Sequence, residues 1–513
     1  MEKYGYDKVM EAMCSSDPRL QKSVLHLLPP PPGTWVPWAR ARTRVLALQL
    51  GLNGLFAEPV EYTSAPTLAA DLEKTSASAG EPSRCVYLLE GLSPEFVSLL
   101  GTHFHLHPSL FMDHERLVPH GGRLKSDSSE AGGVPYLPST ILGRDHISLK
   151  YHEPLVLGTR PTGFRNLCDT SGRHIAVTRL MDQFSDVVVS RRKCTFWSKD
   201  TESGGWTCLI ICDPPIRRII DDYSGRSGTD VVTSPYGSGY PDFMALSNQI
   251  QAWRGPPRSC LLDDVLFYLQ NHCGPLGDIT SAKTLRVFVN KIVASHFLKL
   301  AEFLQANIDK VQWHLSRRQD LASFDVSMSE GLWSDVQSWQ RRIAEYQDDI
   351  GGIMLQMGIP PDGLPDSDQA RDWTDSHADF QHLLCRYREI GRRTQALSDA
   401  ISSLGGLAGN RAAARSAELL VEQAEQAARE NRSVKTLTAL GMVFLPMSLA
   451  SSLLSMSDYY LPGNSLFWVY FAISCPMVGF VLLLYFAVEI RPTAAQGWWS
   501  SLVKRTPAEM IEA

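Results

Sequence analysis

Two long apolar runs lie near the C-terminal end of the sequence, separated by a short polar link. They cover residues 436–456 and 466–488, and Asp458 in the link is the only charged residue between them. Each run reaches the roughly 20 residues that a helix needs to cross a hydrocarbon core about 30 Å thick. The link, residues 457–465, contains proline and glycine and suits a tight turn. We therefore predict a hairpin of two transmembrane helices over residues 436–490.

Lysine and arginine residues flank this hairpin on both sides, whereas its loop has none. The flanking residues are Arg429, Arg432 and Lys435 before it, and Arg491, Lys504 and Arg505 after it. Because basic flanks stay on the cytosolic side, the tail 491–513 and the long N-terminal part are both predicted to be cytosolic, with the loop outside. The first ten residues also lack the basic-then-apolar pattern of a signal peptide. Nothing in the sequence indicates which membrane is crossed.

Apolar residues recur at helical spacing throughout residues 283–435. One helix shows this pattern over 285–315, a second over 332–350 and a third over 383–408. In the second and third helices the spacing alternates between four and three, which is the heptad pattern of coiled coils. A short segment rich in proline and glycine joins these two helices, which favours an antiparallel pair. We predict that the third helix continues as a long coiled stalk into the first membrane span.

The preceding residues, 84–275, mix strand and helix patterns and predict a cytosolic α+β domain. Residues 85–92 have the composition of a strand, and 93–104 begin with a Ser-Pro-Glu helix start. The apolar segments within 194–213 flank a Gly-Gly pair, which indicates a hairpin. Residues 1–83 contain a polyproline run and a segment rich in Ser, Ala and Thr, and we assign them to an extension and linker.

Composition excludes several classes of protein. The net charge of −6 at pH 7 argues against a nucleic-acid binder, which usually has a basic excess. The ten cysteines include no CxxC pair, which argues against a disulfide framework or a cysteine-rich zinc module. Nucleotide-binding and hydrolase motifs are also lacking, so we expect neither an enzyme nor a cofactor. A tethered enzyme using residues 84–275 remains a weaker alternative.

A stripe along one face of the first predicted span is mostly small or polar and is narrowed by Val434 and Leu445. Its residues are Asn431, Val434, Thr438, Gly441, Leu445, Ser448, Ser452 and Ser455. Two spans cannot enclose a water-filled path, so a channel would need several copies of the chain with this stripe around an axis. Hydroxyl positions separated by apolar constrictions suit such a pore. Alternatively, the stripe consists of small residues that pack helix on helix.

Residues 431–457, NRSVKTLTALGMVFLPMSLASSLLSMS, resemble the first transmembrane helix of the CorA family of magnesium channels. The family pattern is N-x-x-M-K-x-L-T, then F-x-P-L-T, then G-M-N at the outer end. The first block is matched by Asn431, Lys435, Leu437 and Thr438, and the second by Phe444, Pro446 and Ser448. Upstream, HFHLHPSLFMDH is similar to the family's HP…ED segment through His107, Pro108 and Asp113. The nearest resemblance is to the divergent fungal members.

This resemblance implies a channel that moves divalent cations, Mg²⁺ above all, across a bilayer as a homo-oligomer, by family likeness a pentamer. The pore-lining residues implied are Asn431, Val434, Leu437, Thr438, Gly441, Leu445, Ser448, Ser452, Ser455 and Met456. The metal-contacting residues implied are Ser457 and Asp458 at the pore mouth. A ring of Asp458 carboxylates would attract cations. Alternatively, Asp458 is an ordinary solvated loop acid.

The family's G-M-N is replaced here by Ser-Met-Ser at 455–457. Serine lacks the amide of asparagine and reaches less far, so selectivity could differ. This departure motivates an alternative function, a membrane-anchored sensor or scaffold that keeps the fold without conducting. The cytosolic acids Asp348, Asp349 and Asp399 are interpreted as part of a solvated helix face. The alternating histidines within 103–107 are interpreted as structural, with a zinc site as the alternative.

Overall fold

The computed structural model describes most of the chain. The described residues are 5–16, 38, 43–77, 83–115, 137–158, 166–180, 183–201, 204–221, 228–238, 256, 260–317, 326–361, 373–456 and 462–503. The chain divides into two units, Met1–Ala408 and Gly409–Ala513.

The first unit contains a mixed β-sheet and most of the helices. Its strands are β1 (Arg44–Gln49), β2 (Val60–Tyr62), β3 (Arg84–Glu90), β4 (His146–Leu157), β5 (Asn166–Cys168), β6 (His174–Leu180), β7 (Gln183–Asp200), β8 (Trp206–Cys212), β9 (Arg218–Asp221), β10 (Gly228–Asp230) and β11 (Thr233–Pro235). The helices of the chain are α1 (Tyr6–Ser16), α2 (Ala65–Ala77), α3 (Pro94–His103), α4 (Ser109–Glu115), α5 (Pro138–Leu142), α6 (Leu261–Asn271), α7 (Arg286–Arg317), α8 (Val326–Met357), α9 (Ser376–Leu454) and α10 (Trp468–Val503).

The long strand β7 organises the sheet. One of its edges pairs with β4, and the other pairs first with β6 and then with β8. Beyond β8 the order continues through β3 and β1 to β2, and beyond β6 it continues through β5 and β9 to β10. All pairings are antiparallel except that of β3 with β8. The predicted strand at 85–92 and the predicted hairpin correspond to β3 and to β7 with β8.

Alternation along β3 and β8 divides the interior between two faces of the sheet. Val86 and Leu88 belong to a core that includes apolar residues of α6, α7, α8 and α9. Tyr87 and Leu89 belong to a second core that includes residues of α1, α2, α3 and α4. Because successive side chains of a strand point to opposite faces, a continuous apolar run is what a strand covered on both sides requires.

Part of the predicted extension 1–83 contributes to this sheet. Strand β1 pairs with β3 over six residues, from Arg44 opposite Glu90 to Gln49 opposite Cys85. Helix α1 packs on α3 so closely that a Cβ on Gly101 would overlap the ring of Tyr6. The polyproline run lies outside the described residues. Residues 44–77 form strands and a helix rather than a linker. The domain boundaries given above remain predictions.

Helices α8 and α9 pack as the antiparallel pair that the heptads predict. Gln337, Gln340 and Gln347 of α8 donate hydrogen bonds to progressively earlier residues of α9, namely Ser398, Gln395 and the Tyr387 carbonyl. Gly405 marks a close approach of these helices, because a Cβ there would lie 3.0 Å from Ser329 Oγ.

Helix α9 runs without interruption from Ser376 to Leu454. At its start, Asp375 Oδ1 accepts a hydrogen bond from the His377 amide. This bond satisfies one of the backbone amides that have no acceptor within the helix at its N-terminus. The predicted fold class is confirmed, since a sheet domain is followed by long helices and two apolar C-terminal helices.

Candidate functional site

Within the described residues, two helices are long and apolar enough to cross a membrane. One is α9, through its C-terminal part, and the other is α10 over Trp468–Ala487. Only 11% of the most apolar stretch of α9 and 6% of that of α10 are buried in the single chain. A core helix of a soluble protein would be mostly buried, so this exposure fits surfaces that lipid or other copies of the chain cover.

Within the second unit, α9 uses one face to pack on α10. Pro446 and Ala450 are buried on this face, and Met447 between them is half-buried. On α10, Ser474 is buried and the hydroxyl of Tyr470 donates a hydrogen bond of 3.2 Å to the carbonyl of Met447. Proline is tolerated here because a lipid-embedded helix can rely on neighbouring groups.

The predicted pore stripe lies on the opposite side of α9. At 3.6 residues per turn, Gly441 and Ser448 project about half a turn away from Pro446 and Ala450, and Leu445 projects between a quarter and half a turn away from them. Leu445 is 73% exposed, and a Cβ added to Gly441 would meet nothing within 4 Å. The small residues of the stripe are therefore not used to pack α9 against α10. This excludes the alternative that the stripe serves the packing of these two helices within one chain.

Two hydroxyls of the stripe are held by the backbone of their own helix. Thr438 Oγ1 donates to the carbonyl of Val434 at 2.8 Å, and Ser455 Oγ donates to the carbonyl of Ser452 at 3.1 Å. Since each hydroxyl proton is engaged, the oxygen lone pairs remain available as acceptors. Such oxygens suit the water shell of a cation.

The structure places most of the predicted site residues on this surface. Asn431, Val434, Leu437, Thr438, Gly441, Leu445, Ser448 and Ser452 lie on α9, and Ser455 and Met456 lie in the turn after it. All of these are exposed except Gly441, which is half-buried. Ser457 and Asp458, the predicted metal-contacting residues, lie outside the described residues.

Helix α9 is also exposed well before the membrane span. Every residue from 411 to 440 is exposed in the single chain. This stretch includes Leu419, Leu420 and Val421, which are between 58% and 64% exposed. A helix of this length without tertiary contacts gains little stability from propensity alone. The single chain therefore leaves these apolar side chains uncovered.

In the first unit, an ion-pair cluster joins the sheet to α8. Ligand atoms of His152, Glu345 and Asp349 lie within 4.8 Å of one another, a grouping that could hold a metal ion. However, Lys150 Nζ lies 3.0 Å from Asp349 Oδ1 and 3.2 Å from Glu345 Oε1, and Arg191 lies 2.5 Å from Glu345. Two cations thus already balance the two carboxylates.

The cluster corrects the interpretation of Asp349 as a solvated acid. Its side chain is only 13% exposed, and Oδ2 lies 2.7 Å from His152 Nε2. Asp348 and Asp399 are exposed as expected. Burial is the main reason that the pKa of His152 is lowered, so the imidazole is neutral at pH 7. Sequence reasoning missed Lys150 and Arg191 because they lie far from α8 along the chain.

We expect Glu345→Gln to remove a component of stability that depends on pH. Burial alone would raise the pKa of Glu345, but Arg191 and Lys150 outweigh it and lower the pKa to about 2. A depressed carboxyl pKa stabilises the fold above the ordinary value of about 4.5, and this stability is lost as pH falls toward about 2. Melting temperatures of the wild-type and variant proteins should therefore differ most at pH 7, and the difference should shrink below about pH 4.5 and vanish only as the pH approaches about 2.

The matched control is Glu389→Gln, since Glu389 forms ion pairs with Arg392 and Arg393 on the exposed surface of α9. Its melting temperature should stay close to that of the wild type at every pH, because exposed pairs contribute little. A Glu345→Gln profile that runs parallel to the wild-type profile from pH 7 to pH 3 would show that the charge of Glu345 does not stabilise the fold.

The histidines near α3 do not share a strand. His103 ends α3, His105 has a positive φ of 55°, and His107 Nδ1 lies 2.8 Å from Ser109 Oγ at the start of α4. The strand alternation that a zinc site needed is therefore wrong. Asp113, the acid of the family-like segment, pairs with Arg144 and with His146.

Comparison with known proteins gives one family match. Residues 341–490 match the family described as "CorA-like Mg2+ transporter protein". No curated protein matches the chain. Among solved structures, the full-length CmaX protein is similar at 13% identity and a TM-score of 0.30, over 88% of this chain and 98% of that chain.

The family match covers the membrane part of the chain and the helices that lead into it. It begins near the middle of α8, includes all of α9, and ends within α10 at residue 490. Together with the two apolar helices, the match supports an integral membrane protein. The resemblance of this chain to the CorA-like family is thereby confirmed over residues 341–490.

Proposed function

We propose that the protein conducts divalent cations, principally Mg²⁺, through a pore formed by the α9 helices of several copies. The observation that carries this proposal is the position of the stripe on α9. Gly441 and Ser448 lie on the side opposite the α10 contact; Ser448 is exposed, and Gly441 is half-buried with open space beside it. If α10 occupies the outer side of each chain, this stripe is the surface that is left to line an axis.

A homo-oligomer follows from the same geometry. Two helices cannot surround a water-filled path, whereas several α9 helices around an axis can. The exposed apolar residues within 411–440 supply a surface for packing these copies. Five copies is the number that the family resemblance implies.

The chemistry of the stripe favours a hydrated cation. Mg²⁺ gives up its water shell reluctantly, so a pore that accepts hydrogen bonds from these waters avoids most of the dehydration cost. Thr438 and Ser455 offer hydroxyl oxygens whose protons are engaged by the backbone. Val434 and Leu445 provide apolar constrictions, which can close a pore by excluding water. Ser457 and Asp458 complete the outer mouth in this proposal.

The proposed direction of transport is inward. The basic flanks support cytosolic termini, and in this proposal the loop with Asp458 therefore faces the outside. A ring of carboxylates there would raise the local cation concentration before entry. The negative potential of the cytosolic side then draws the cation through the pore.

We expect rapid Mg²⁺ uptake by liposomes that contain the purified protein and a Mg²⁺-sensitive dye. Asp458→Asn should slow this uptake at low ionic strength, because it removes the negative ring without changing the size of the side chain. The difference between the two proteins should shrink as monovalent salt is added, since salt screens exposed charges.

The matched control is Glu425→Gln, which removes an exposed acid of α9 before the span and off the stripe, so uptake should stay unchanged. No uptake of Mg²⁺, Co²⁺, Ni²⁺ or Zn²⁺ by a well-folded oligomer would rule out conduction. That result would favour the non-conducting sensor or scaffold that the Ser-Met-Ser signature suggests.

A further inference from the structure

A large cavity in the first unit is lined by residues from several separate parts of the chain. Its volume is about 1060 Å³, and its walls include the loop between α3 and α4, the segment from α5 into β4, the C-terminal end of β7 and the residues that lead into α7. This is at the upper end of the volumes of small-molecule binding sites. All of its lining residues precede 408, so it is separate from the stripe on α9.

The cavity is lined by cations that lack partners. Within the described part of the chain, the side chains of Lys199, Lys283 and Arg286 have no hydrogen bond and no ion pair. Arg144 also lines the cavity, but it is paired with Asp113. A concave surface with charges of one sign focuses the electrostatic potential and attracts ions of the opposite sign.

Arg286 is the most buried of these three cations. Its side chain is half-buried, and burial lowers the pKa of its guanidinium. A partly buried cation without a counter-ion is costly, and an anion bound in the cavity would relieve that cost. Among the described residues that line the cavity the acid is Asp145, whose single charge does not balance the three cations.

The cationic segment is held firmly against the sheet. Trp206 Nε1 donates to the carbonyl of Ile279 at 3.1 Å, and Ser281 Oγ donates to Asp200 Oδ2 at 3.0 Å. The side chain of Ser281 in turn accepts from the amide of Lys283 and caps the short helix that precedes α7. Rigid support of this kind keeps charged groups in a fixed geometry before a ligand arrives.

Burial within this segment fixes which side chains face the cavity. Ala282 and Leu285 are fully buried in the core, whereas Lys283 is exposed and Arg286 is half-buried. The two cations therefore stay at the surface because their neighbours are anchored inside.

Another part of the lining is aromatic. The rings of Phe104 and Trp197 both contribute to the cavity, and their centroids lie 6.0 Å apart. Phe104 is only half-buried, so part of its ring is accessible. Aromatic rings favour planar, apolar ligand groups by stacking or edge contacts.

We propose that this cavity binds a soluble phosphorylated metabolite of the nucleoside triphosphate class. Arginine and lysine are the side chains that bind phosphate groups best, arginine through its forked geometry and lysine as a point charge. Three unpartnered cations match an anion of several charges, and the aromatic lining matches a nucleobase. This inference does not depend on ion conduction.

The test measures binding of ATP to the full-length protein in detergent by calorimetry, without divalent cations. We expect saturable binding by the wild-type protein and an affinity lower by about tenfold for Lys283→Glu and for Arg286→Gln. The control is Lys310→Glu, an exposed lysine of α7 outside the cavity, which should leave the affinity unchanged. Melting temperatures of all variants establish that they are folded.

Two further probes separate the parts of the proposal. Tripolyphosphate and adenosine should each bind more weakly than ATP, because each offers only one of the two recognised groups. Equal affinity for tripolyphosphate and ATP would overturn the role of the aromatic lining. Absence of ATP binding, or an equal loss of affinity in Lys310→Glu and Lys283→Glu, would overturn the site. Ion flux is not part of this measurement, so its outcome is independent of the proposed pore.

Discussion

Replacement of Gly441 by phenylalanine is expected to abolish Mg²⁺ uptake while leaving the single chain folded. The position lies on the stripe, opposite the face that packs on α10, and an added Cβ meets nothing within 4 Å. A phenyl ring there would not disturb the α9 contact with α10. Around an axis, however, one ring from each copy would fill a narrow pore with apolar groups. Uptake into dye-loaded liposomes should fall by more than about tenfold.

The matched control is Gly479→Phe. Gly479 lies on α10, is exposed, and also has open space around it. It is on the side of α10 away from Ser474, which is buried against α9. In the proposed assembly this side does not face the axis, so uptake should stay near the wild-type rate.

The oligomer of each variant is checked by light scattering in detergent. Wild-type uptake by an intact Gly441→Phe oligomer would contradict the proposed pore surface. Loss of uptake in both glycine variants, with both oligomers intact, would equally contradict it, because the effect would then be unrelated to the stripe.

The membrane hairpin and the long helices were predictable because their patterns are local. A run of apolar residues or an alternation of four and three is visible within a short window, whatever the rest of the chain does. The alternation over 332–350 and 383–408 correctly predicted the antiparallel pair of α8 and α9. The orientation of the stripe needed the structure, because the sequence does not say which face of α9 contacts α10.

Features that depend on distant parts of the chain were missed. Strand β1 belongs to the sheet, although its residues fell within the predicted extension; the apolar run Val45–Leu48 was the available indication. The partners Lys150 and Asp349 are 199 residues apart. Alternative partners for a charged residue are so numerous that sequence alone cannot choose among them. For the same reason, the sequence did not predict that Lys199, Lys283 and Arg286 line one cavity.

The buried carboxylate of Asp213 is expected to be the most sensitive single position for the stability of the sheet. Its side chain is fully buried, and Oδ2 accepts hydrogen bonds from Arg173 Nε at 3.0 Å and from the Lys193 amide at 2.8 Å. Oδ1 lies 3.1 Å from both Arg173 Nη2 and His114 Nε2. Burial alone would raise the pKa of Asp213, but Arg173 and His114 hold it well below its usual range.

Asp213→Ala should therefore destabilise the protein by about 3–5 kcal/mol, because it removes the carboxylate that accepts two hydrogen bonds from the buried guanidinium of Arg173. In a thermal melt of the full-length protein at pH 7, followed by tryptophan fluorescence, the midpoint should fall by about 10 °C. Asp230→Ala is the control: Asp230 belongs to the same sheet, is 91% exposed and faces Arg218 at 3.9 Å, so its removal should have little effect.

A double substitution distinguishes the loss of a charge partner from the loss of packing. Asp213→Leu combined with Arg173→Met removes both charges and fills the space with apolar groups, which is often neutral for a buried pair. The double variant should therefore melt above Asp213→Ala. If it melts lower instead, Arg173 stabilises the sheet mainly through its bond to the His114 carbonyl. If Asp213→Ala itself melts with the wild type, the carboxylate does not compensate Arg173, and the sheet must tolerate a buried cation without it.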